Sequence, residues 1–211
     1  MRNMIFFLFF LVAAFSGKAQ YPGYFPVADI AAFKAAFSVA TQKASSIKSD
    51  FVQEKNLSML SEKIISKGKF WFKKESLVRM EYTQPYQYLL IINKDKVFVK
   101  DGAKENKIST KSNKLFQQIN NIMVDCMQGT ALNNADFTTK VFENKTTSLV
   151  ELKPLTNGLK QLFKAINIII DKKDFSVNSI QMQELTGDNT LIRFTNKELN
   201  VAIPDALFII K

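Results

Sequence analysis

An alternation of apolar and polar side chains with a period of two residues recurs along most of this chain and constrains its fold more than any other feature. Over 64–74, for example, Gly68, Phe70 and Phe72 share one side, whereas lysines and Trp71 share the other. This pattern is typical of antiparallel strands that have one face in water and the other against a core. Strands are predicted in this way over residues 47–60, 64–74, 77–82, 88–93, 96–100, 137–143, 149–153, 163–171, 179–185, 191–195 and 207–210.

Two stretches have the period of a helix instead. Ile30, Phe33 and Phe37 follow one another at three- and four-residue steps, which predicts a helix that ends at residue 44 and has Asp29 as its N-cap. A second helix is predicted over 113–128, where a wide apolar arc would cover a large hydrophobic surface. Its apolar positions include Leu115, Phe116, Ile119, Ile122, Met123 and Cys126.

These elements predict an α+β fold that is mainly β, with one large antiparallel sheet and the helices gathered on one of its faces. Glycine and proline are scarce, at 7 and 5 residues, and no repeat or linker divides the chain, so a single domain is expected. A sheet of many strands curls as it twists, and short helices would fill its concavity only in part. An ordinary packed core has the same alternation, so the pattern leaves both a cavity and a solid interior open.

The first twenty residues have the form of a secretory signal: a basic start at Arg2, an apolar run over 4–15 and small residues up to Ala19. The run is shorter than the roughly 20 residues that span a membrane, so cleavage near Ala19 is expected rather than an anchor. The predicted mature domain, residues 21–211, would then be a soluble protein of the periplasm. Its single cysteine, Cys126, excludes an internal disulfide and is expected to be buried.

Charge and residue types exclude several functions. The whole chain carries +10, and without Arg2 and Lys18 the 27 basic and 19 acidic residues leave +8, which favours acidic membranes or partners. The lysines do not cluster, so nucleic acid is not an expected partner. Histidine is absent, which excludes Ser-His-Asp and Cys-His catalysis. Ser45 and Ser66 match a serine–lysine spacing, but its companion motifs are missing, and no metal-ligand spacing is found. No catalytic residue, metal or cofactor is therefore predicted.

Several segments of the N-terminal half carry a family resemblance when they are taken in order. They are Ser-Asp-Phe-Val-Gln at 49–53, Gly-Lys-Phe-Trp-Phe at 68–72 with Lys73 and Lys74 after it, and Arg-Met-Glu-Tyr-Thr-Gln-Pro at 79–85 with a following Leu-Leu-Ile-Ile strand. This set resembles the outer-membrane lipoprotein carrier family, LolA. The later Asn-Ala-Asp-Phe at 134–137 and the strands beyond it are similar to the family in order and length only.

The resemblance implies a strongly curved, unclosed β-barrel with a helical lid over a hydrophobic cavity. The lid corresponds to 113–128, with Leu115, Phe116, Ile119, Ile122 and Met123 facing inward. Where many members have an arginine and a proline that latch the lid, this chain has Lys74 and Glu75, and lysine lacks the planar fork of arginine. A solvated lysine at a strand end is the alternative interpretation. The cavity positions of the family correspond to Phe51, Phe70, Phe72, Val78, Met80, Tyr82, Leu90 and Ile92.

The function that the resemblance implies is that of a periplasmic carrier, which takes acylated lipoproteins from an inner-membrane transporter to an outer-membrane acceptor. The physics agrees, because burial of each acyl methylene is worth about 0.8 kcal/mol and a free acylated protein would not cross water unescorted. A monomer is expected, since such a cavity needs no second subunit. Two alternatives stay open: a related binder of free lipid or a lipid-linked metabolite, and a sensor that binds another protein in an envelope-stress pathway.

Overall fold

The computed structural model describes residues 20–60, 62–74, 76–94, 96–102, 104–109 and 114–210, so the predicted leader lies outside the described residues except for Gln20. The helices of this part are α1 (Ile30–Lys43), α2 (Lys114–Gln128) and α3 (Asn157–Lys160), with 3-10 turns at Ala131–Asn133 and Asp205–Phe208. The strands are β1 (Phe25–Pro26), β2 (Ser46–Leu57), β3 (Glu62–Lys73), β4 (Leu77–Gln84), β5 (Tyr88–Asn93), β6 (Lys96–Asp101), β7 (Lys104–Ser109), β8 (Phe137–Glu143), β9 (Thr147–Pro154), β10 (Phe163–Asp171), β11 (Val177–Glu184) and β12 (Asn189–Leu199).

All of these strands join one antiparallel sheet in the order β1-β8-β9-β10-β11-β12-β2-β3-β4-β5-β6-β7. The strands β1 and β7 are its two edges, so the sheet is not closed into a barrel. The contact between β12 and β2 brings the C-terminal half of the chain beside the N-terminal half. The predicted fold class, a mainly β structure with one large unclosed antiparallel sheet and few helices, is confirmed.

Helix α1 forms where the helical period predicted it. The Asp29 carboxylate caps it by accepting a hydrogen bond from the backbone N–H of Ala32 at 2.9 Å. Phe37 is buried on the inner side, and its ring stacks on that of Phe33 with 6.2 Å between the ring centroids. The helix therefore packs its aromatic stripe against the same apolar cluster as the sheet.

The C-terminal segment is where the prediction of a strand over 207–210 is wrong. The chain forms a 3-10 turn at Asp205–Phe208 instead, and Phe208 is buried in a second, smaller cluster with Ile91 and Phe98. This cluster lies on the outer face of the sheet, where Trp71 packs against it. The outward-facing Trp71 that the alternation predicted is thus covered by the end of the chain.

Three further differences come from the limits of the two-residue pattern. Strand β7 (Lys104–Ser109) contains one apolar residue, so only its pairing with β6 defines it. The short β1 is likewise defined by pairing with β8. Strand β2 ends at Leu57, and Met59 lies in the following turn, not in the strand.

Among the described residues, no helix has the length and apolar character that crossing a membrane requires.

Candidate functional site

The concave face of the sheet carries the predicted cavity residues, and the structure brings all of them together in one apolar cluster. Seven of them are buried with between 0% and 6% of their surface exposed, and Tyr82 is partly buried and packs against the others. The seven are Phe51, Phe70, Phe72, Val78, Met80, Leu90 and Ile92.

The pairing register of the strands explains this clustering. Phe70 lies opposite Met80, and Met80 lies opposite Leu90, so one apolar row crosses β3, β4 and β5. A parallel row contains Phe72, Val78 and Ile92. Because side chains alternate between faces, a register shift of one residue would move both rows to the outside. The regular pairing therefore builds a continuous apolar wall.

Two tyrosines close one end of this wall. The ring of Tyr82 lies 4.8 Å from that of Phe51 and 5.3 Å from that of Tyr88, both in edge-to-face contact. The Tyr82 hydroxyl donates a hydrogen bond to Oε1 of Gln53 at 2.9 Å. Burial raises the pKa values of both tyrosines, so both hydroxyls are neutral at physiological pH. The end of the apolar interior thus has a neutral polar rim.

Helix α2 covers the wall. Ile122, Met123, Cys126 and Met127 are buried in the same cluster as the strand residues. The predicted lid side chains of Leu115, Phe116 and Ile119 lie outside the residues whose side chains the structure describes.

Packing, more than hydrogen bonding, holds the described part of α2 on the sheet. Gln128 donates to the hydroxyl of Ser76 at 3.1 Å, whereas the Asp125 carboxylate bonds to Thr130 and Asn134, which follow the helix. A helix held mainly by side-chain packing can move away as a unit while its internal hydrogen bonds stay intact.

Burial raises the pKa of the Cys126 thiol on α2. Formation of a reactive thiolate at Cys126 therefore requires that the helix open.

A cavity of about 270 Å³ lies beside the C-terminal half of α2. Its walls include the apolar side chains of Ile92, Val97 and Ile122, and polar groups such as Asn121 and Asp125 line it as well. Ligand pockets generally occupy about 300–1,000 Å³. This cavity alone is therefore too small for a long acyl chain.

Lys74, the predicted latch, contacts the first helix. Its ammonium group donates a hydrogen bond to the backbone carbonyl of Gln42, in the last turn of α1. A positive charge at a helix C-terminus is favourable because the carbonyls there carry partial negative charge. This contact joins the turn between β3 and β4 to α1, and the role of Lys74 as a latch of α2 stays a prediction.

Replacement of Lys74 by methionine separates these two roles. Because the described contact is to α1 and is exposed, we expect Lys74→Met to lower the free energy of unfolding by less than about 1 kcal/mol. The rate at which a maleimide labels Cys126 should stay within about twofold of the wild-type rate. Lys69→Met, which removes an exposed lysine from the preceding strand β3, is the matched control. Labelling that is many times faster in Lys74→Met alone would show that Lys74 restrains α2.

The outer face contains a buried carboxylate that the sequence pattern did not predict. Glu151 of β9 is 2% exposed, and its Oε2 accepts hydrogen bonds from the Gln20 amide and the Tyr21 hydroxyl, both at 2.6 Å. The Tyr21 hydroxyl also lies 3.2 Å from Oδ1 of Asn167. Burial and the neighbouring carboxylate raise the pKa of Tyr21 to about 12. The one available signal was a glutamate within the apolar run 149–152.

Tyr21→Phe tests this arrangement. We expect the loss of about 1–2 kcal/mol of unfolding free energy near neutral pH, because a buried carboxylate oxygen loses a donor. The raised pKa favours the neutral hydroxyl in the folded state, so the wild-type contribution persists below pH 10 and is lost as the pH rises towards 12. Urea unfolding across this range measures both effects. Tyr24→Phe, which loses a bond to the Thr147 hydroxyl, should cost less, and an equal cost would contradict the role of Glu151.

An unclosed antiparallel sheet, with an apolar concave face under two helices, defines the LolA-like class of folds. Over residues 42–211 the sequence matches the family described as outer membrane lipoprotein carrier protein LolA. The chain belongs to this family. A comparison with curated proteins finds no match.

Two solved structures share the fold at low sequence identity. MucB is similar with a TM-score of 0.51 and 13% identity, over 85% of this chain and 63% of MucB. An uncharacterized conserved protein from Thermus thermophilus has a TM-score of 0.50 and 10% identity, over 84% of this chain and 91% of that protein. A LolA superfamily protein from Nitrosomonas europaea has a TM-score of 0.46 and 8% identity, with 83% and 97% of the two chains covered.

Proposed function

We propose that this protein is a periplasmic carrier that holds the acyl chains of lipoproteins between its sheet and α2, and takes them from the inner to the outer membrane. The observation that carries the proposal is the continuous apolar wall on the concave face, under a helix that is held mainly by packing. Membership of the LolA family supports it. The protein would act by binding, without catalysis.

The physical basis is an exchange of one set of apolar contacts for another. In the closed conformation Ile122, Met123 and Met127 of α2 cover the wall. Acyl chains can replace these side chains, because burial of a methylene is worth about 0.8 kcal/mol whichever molecule supplies it. The cost of moving α2 would thus be offset by the burial of the cargo. An inner-membrane transporter would supply the lipoprotein, and an outer-membrane acceptor would receive it.

A protein partner in place of a lipid is the second candidate. The solved complex of Pseudomonas aeruginosa MucA and MucB shows that MucB binds a protein, and MucB shares the fold of this chain. A free lipid or lipid-linked metabolite is a variant of the first candidate, because it would use the same apolar wall.

Mass spectrometry of captured molecules distinguishes these candidates. A tagged chain is recovered from the periplasm, and the proteins and extractable lipids of one eluate are identified together. Proteins acylated at an N-terminal cysteine support the carrier function. Free lipid alone, or an unacylated protein alone, would replace it with one of the other two candidates.

A matched pair of variants shows where the captured molecule binds. Leu90→Lys places a charge on the apolar wall at a position that is 6% exposed, whereas Val39→Lys places the same charge on the exposed face of α1. Leu90 is preferred to Val78 because part of its surface reaches water, so that a lysine can extend its ammonium group outwards, whereas none of Val78 is exposed. Capture per folded molecule, with folding checked by circular dichroism, should fall only in Leu90→Lys.

A further inference from the structure

Exposed apolar side chains gather at one end of the sheet. Four neighbouring connections lie there: residues 155–162 between β9 and β10, 185–188 between β11 and β12, 58–60 after β2, and 85–87 between β4 and β5. Met59 and Leu60 are 91% and 65% exposed. Each of the other three connections also presents an exposed large apolar side chain. We name this set the apolar edge: Met59, Leu60, Tyr86, Leu155 and Leu185.

The connections at the opposite end of the sheet are different. The described turns there carry Asn-Lys-Thr at 144–146, Lys-Lys-Asp at 172–174 and Lys94. Phe175 follows the second of these turns, but its ring packs inward at 6.3 Å from the rings of Phe33 and Phe37. The described turns at the two ends of the sheet thus differ in chemistry. The exposed apolar side chains near the opposite end, Phe25 and Val39, belong to β1 and α1 and not to turns between strands.

Hydrogen bonds join three of the four connections of the apolar edge to one another. The backbone N–H of Ser58 donates to the Asp188 carboxylate at 2.9 Å, and the Ser58 hydroxyl donates to the carbonyl of Thr186 at 3.2 Å. The N–H of Leu185 donates to the carbonyl of Leu162 at 2.9 Å. Because these polar groups have partners, the apolar side chains beside them can leave water without burying an unpaired amide.

The charges beside the apolar edge favour an anionic surface. Glu54 is paired with Lys63 at 2.5 Å and with Arg193, and Glu184 lies 3.9 Å from Lys55. Lys67, Lys160 and Lys164 are exposed at the same end of the sheet, and they outnumber the further carboxylates there, Glu62 and Asp188. Lysines near a membrane that contains anionic lipids each contribute about 1 kcal/mol of attraction.

We propose that the apolar edge docks this protein on the surface of a bilayer that contains anionic phospholipids. Neighbouring strands lie about 4.8 Å apart and turns at one end of the sheet recur at every second strand, so successive turns stand about 10 Å from each other. Apolar side chains spread over this distance fit the surface of a bilayer better than a single pocket on a partner. Tyr82 and Tyr88, which close one end of the apolar interior, flank the turn that carries Tyr86. Docking therefore places an end of the interior beside the membrane. The inference concerns where the protein meets a membrane, and it does not depend on the identity of the cargo.

Sedimentation with vesicles tests the proposal on the chain from residue 20, which contains every described element. We expect binding to vesicles of phosphatidylethanolamine and phosphatidylglycerol, and much weaker binding to phosphatidylcholine alone. The double variant Met59→Ser/Leu60→Ser should bind at least about tenfold more weakly, because two exposed apolar side chains no longer enter the bilayer. The matched control is Val39→Ser/Ile209→Ser, which removes exposed apolar side chains elsewhere and should bind as the wild type does.

A fluorophore at position 59 gives a second readout. Attached at Met59→Cys, an environment-sensitive dye should shift its emission to the blue when these vesicles are added, whereas the same dye at Val39→Cys should not. Both dye-labelled variants also carry Cys126→Ala, so that the dye attaches only at the exposed position. Absence of vesicle binding by the wild type, or equal binding by the double variant, would overturn the proposal. Uptake of a soluble acyl probe, measured in parallel, reports the carrier function separately, because Met59 and Leu60 lie outside the apolar wall.

Discussion

Gly68→Ala should destabilise the fold by about 3–5 kcal/mol, the largest effect that we expect from the addition of one methyl group. Gly68 lies on β3 opposite Phe51, in the wall that forms the proposed binding surface. A Cβ atom there would overlap the backbone carbonyl oxygen of Glu81 and would lie 2.8 Å from two ring carbons of Phe51. The backbone of β4 cannot retreat without breaking its ladder with β3, so the cost cannot be relieved by a side-chain rotation.

Urea unfolding, followed by circular dichroism, measures this loss. Gly102→Ala is the matched control, because that glycine has a positive φ of 56° but nothing within 4 Å of the added carbon. The control should cost only about 1–2 kcal/mol, which is the conformational penalty of alanine in the left-handed region. Equal costs for the two variants would contradict close packing of Phe51 against β3.

The apolar wall could be predicted from the sequence because it depends on local alternation. Once a strand is recognised, residues such as Phe70 and Phe72 must share a face, and antiparallel pairing places them beside Met80 and Val78. The helical period predicted the inner face of α1 in the same way, and it also predicted the burial of Ile122, Met123 and Cys126 in the described half of α2. The family resemblance added what alternation could not, namely the expectation of a helical lid and of an acylated cargo.

Other features depend on contacts between distant parts of the chain, and the sequence pattern does not encode them. The C-terminal residues contain Leu-Phe-Ile-Ile, which favours a strand, but Phe208 becomes buried on the outer face in a 3-10 turn. Lys74 donates a hydrogen bond to α1 because the C-terminal end of that helix lies beside the turn after β3. The buried Glu151 depends on Gln20 and Tyr21, about 130 positions away.

Ile122→Ala should increase the rate at which a maleimide labels Cys126 by at least about tenfold. Ile122 is 5% exposed and packs α2 onto the wall, and removal of a buried isoleucine side chain generally costs about 2–5 kcal/mol. If this cost lowers the free-energy difference between the open and closed positions of α2, the fraction of molecules with α2 open rises tenfold for each 1.4 kcal/mol. Alanine preserves the helix, so the change acts on docking and not on helix formation.

The same variant should load an acyl probe faster. When only the conformation with α2 open can bind the probe, the apparent affinity and the rate of loading increase with the fraction of molecules in that conformation. The variant, whose α2 is held less tightly, should therefore take up the probe faster. Stopped-flow fluorescence with a labelled fatty acid measures the association rate, which should rise together with the labelling rate of Cys126.

A control variant separates movement of α2 from general loss of stability. Ile180→Ala removes a similarly buried isoleucine from strand β11 and leaves the side chains of α2 unchanged. It should lower the free energy of unfolding by a similar amount and leave labelling of Cys126 without urea nearly unchanged. Equal acceleration in both variants would mean that Cys126 reacts only after global unfolding, in which case α2 would not open as a separate unit. Acceleration confined to Ile122→Ala, with faster loading, would identify α2 as the element that admits the cargo.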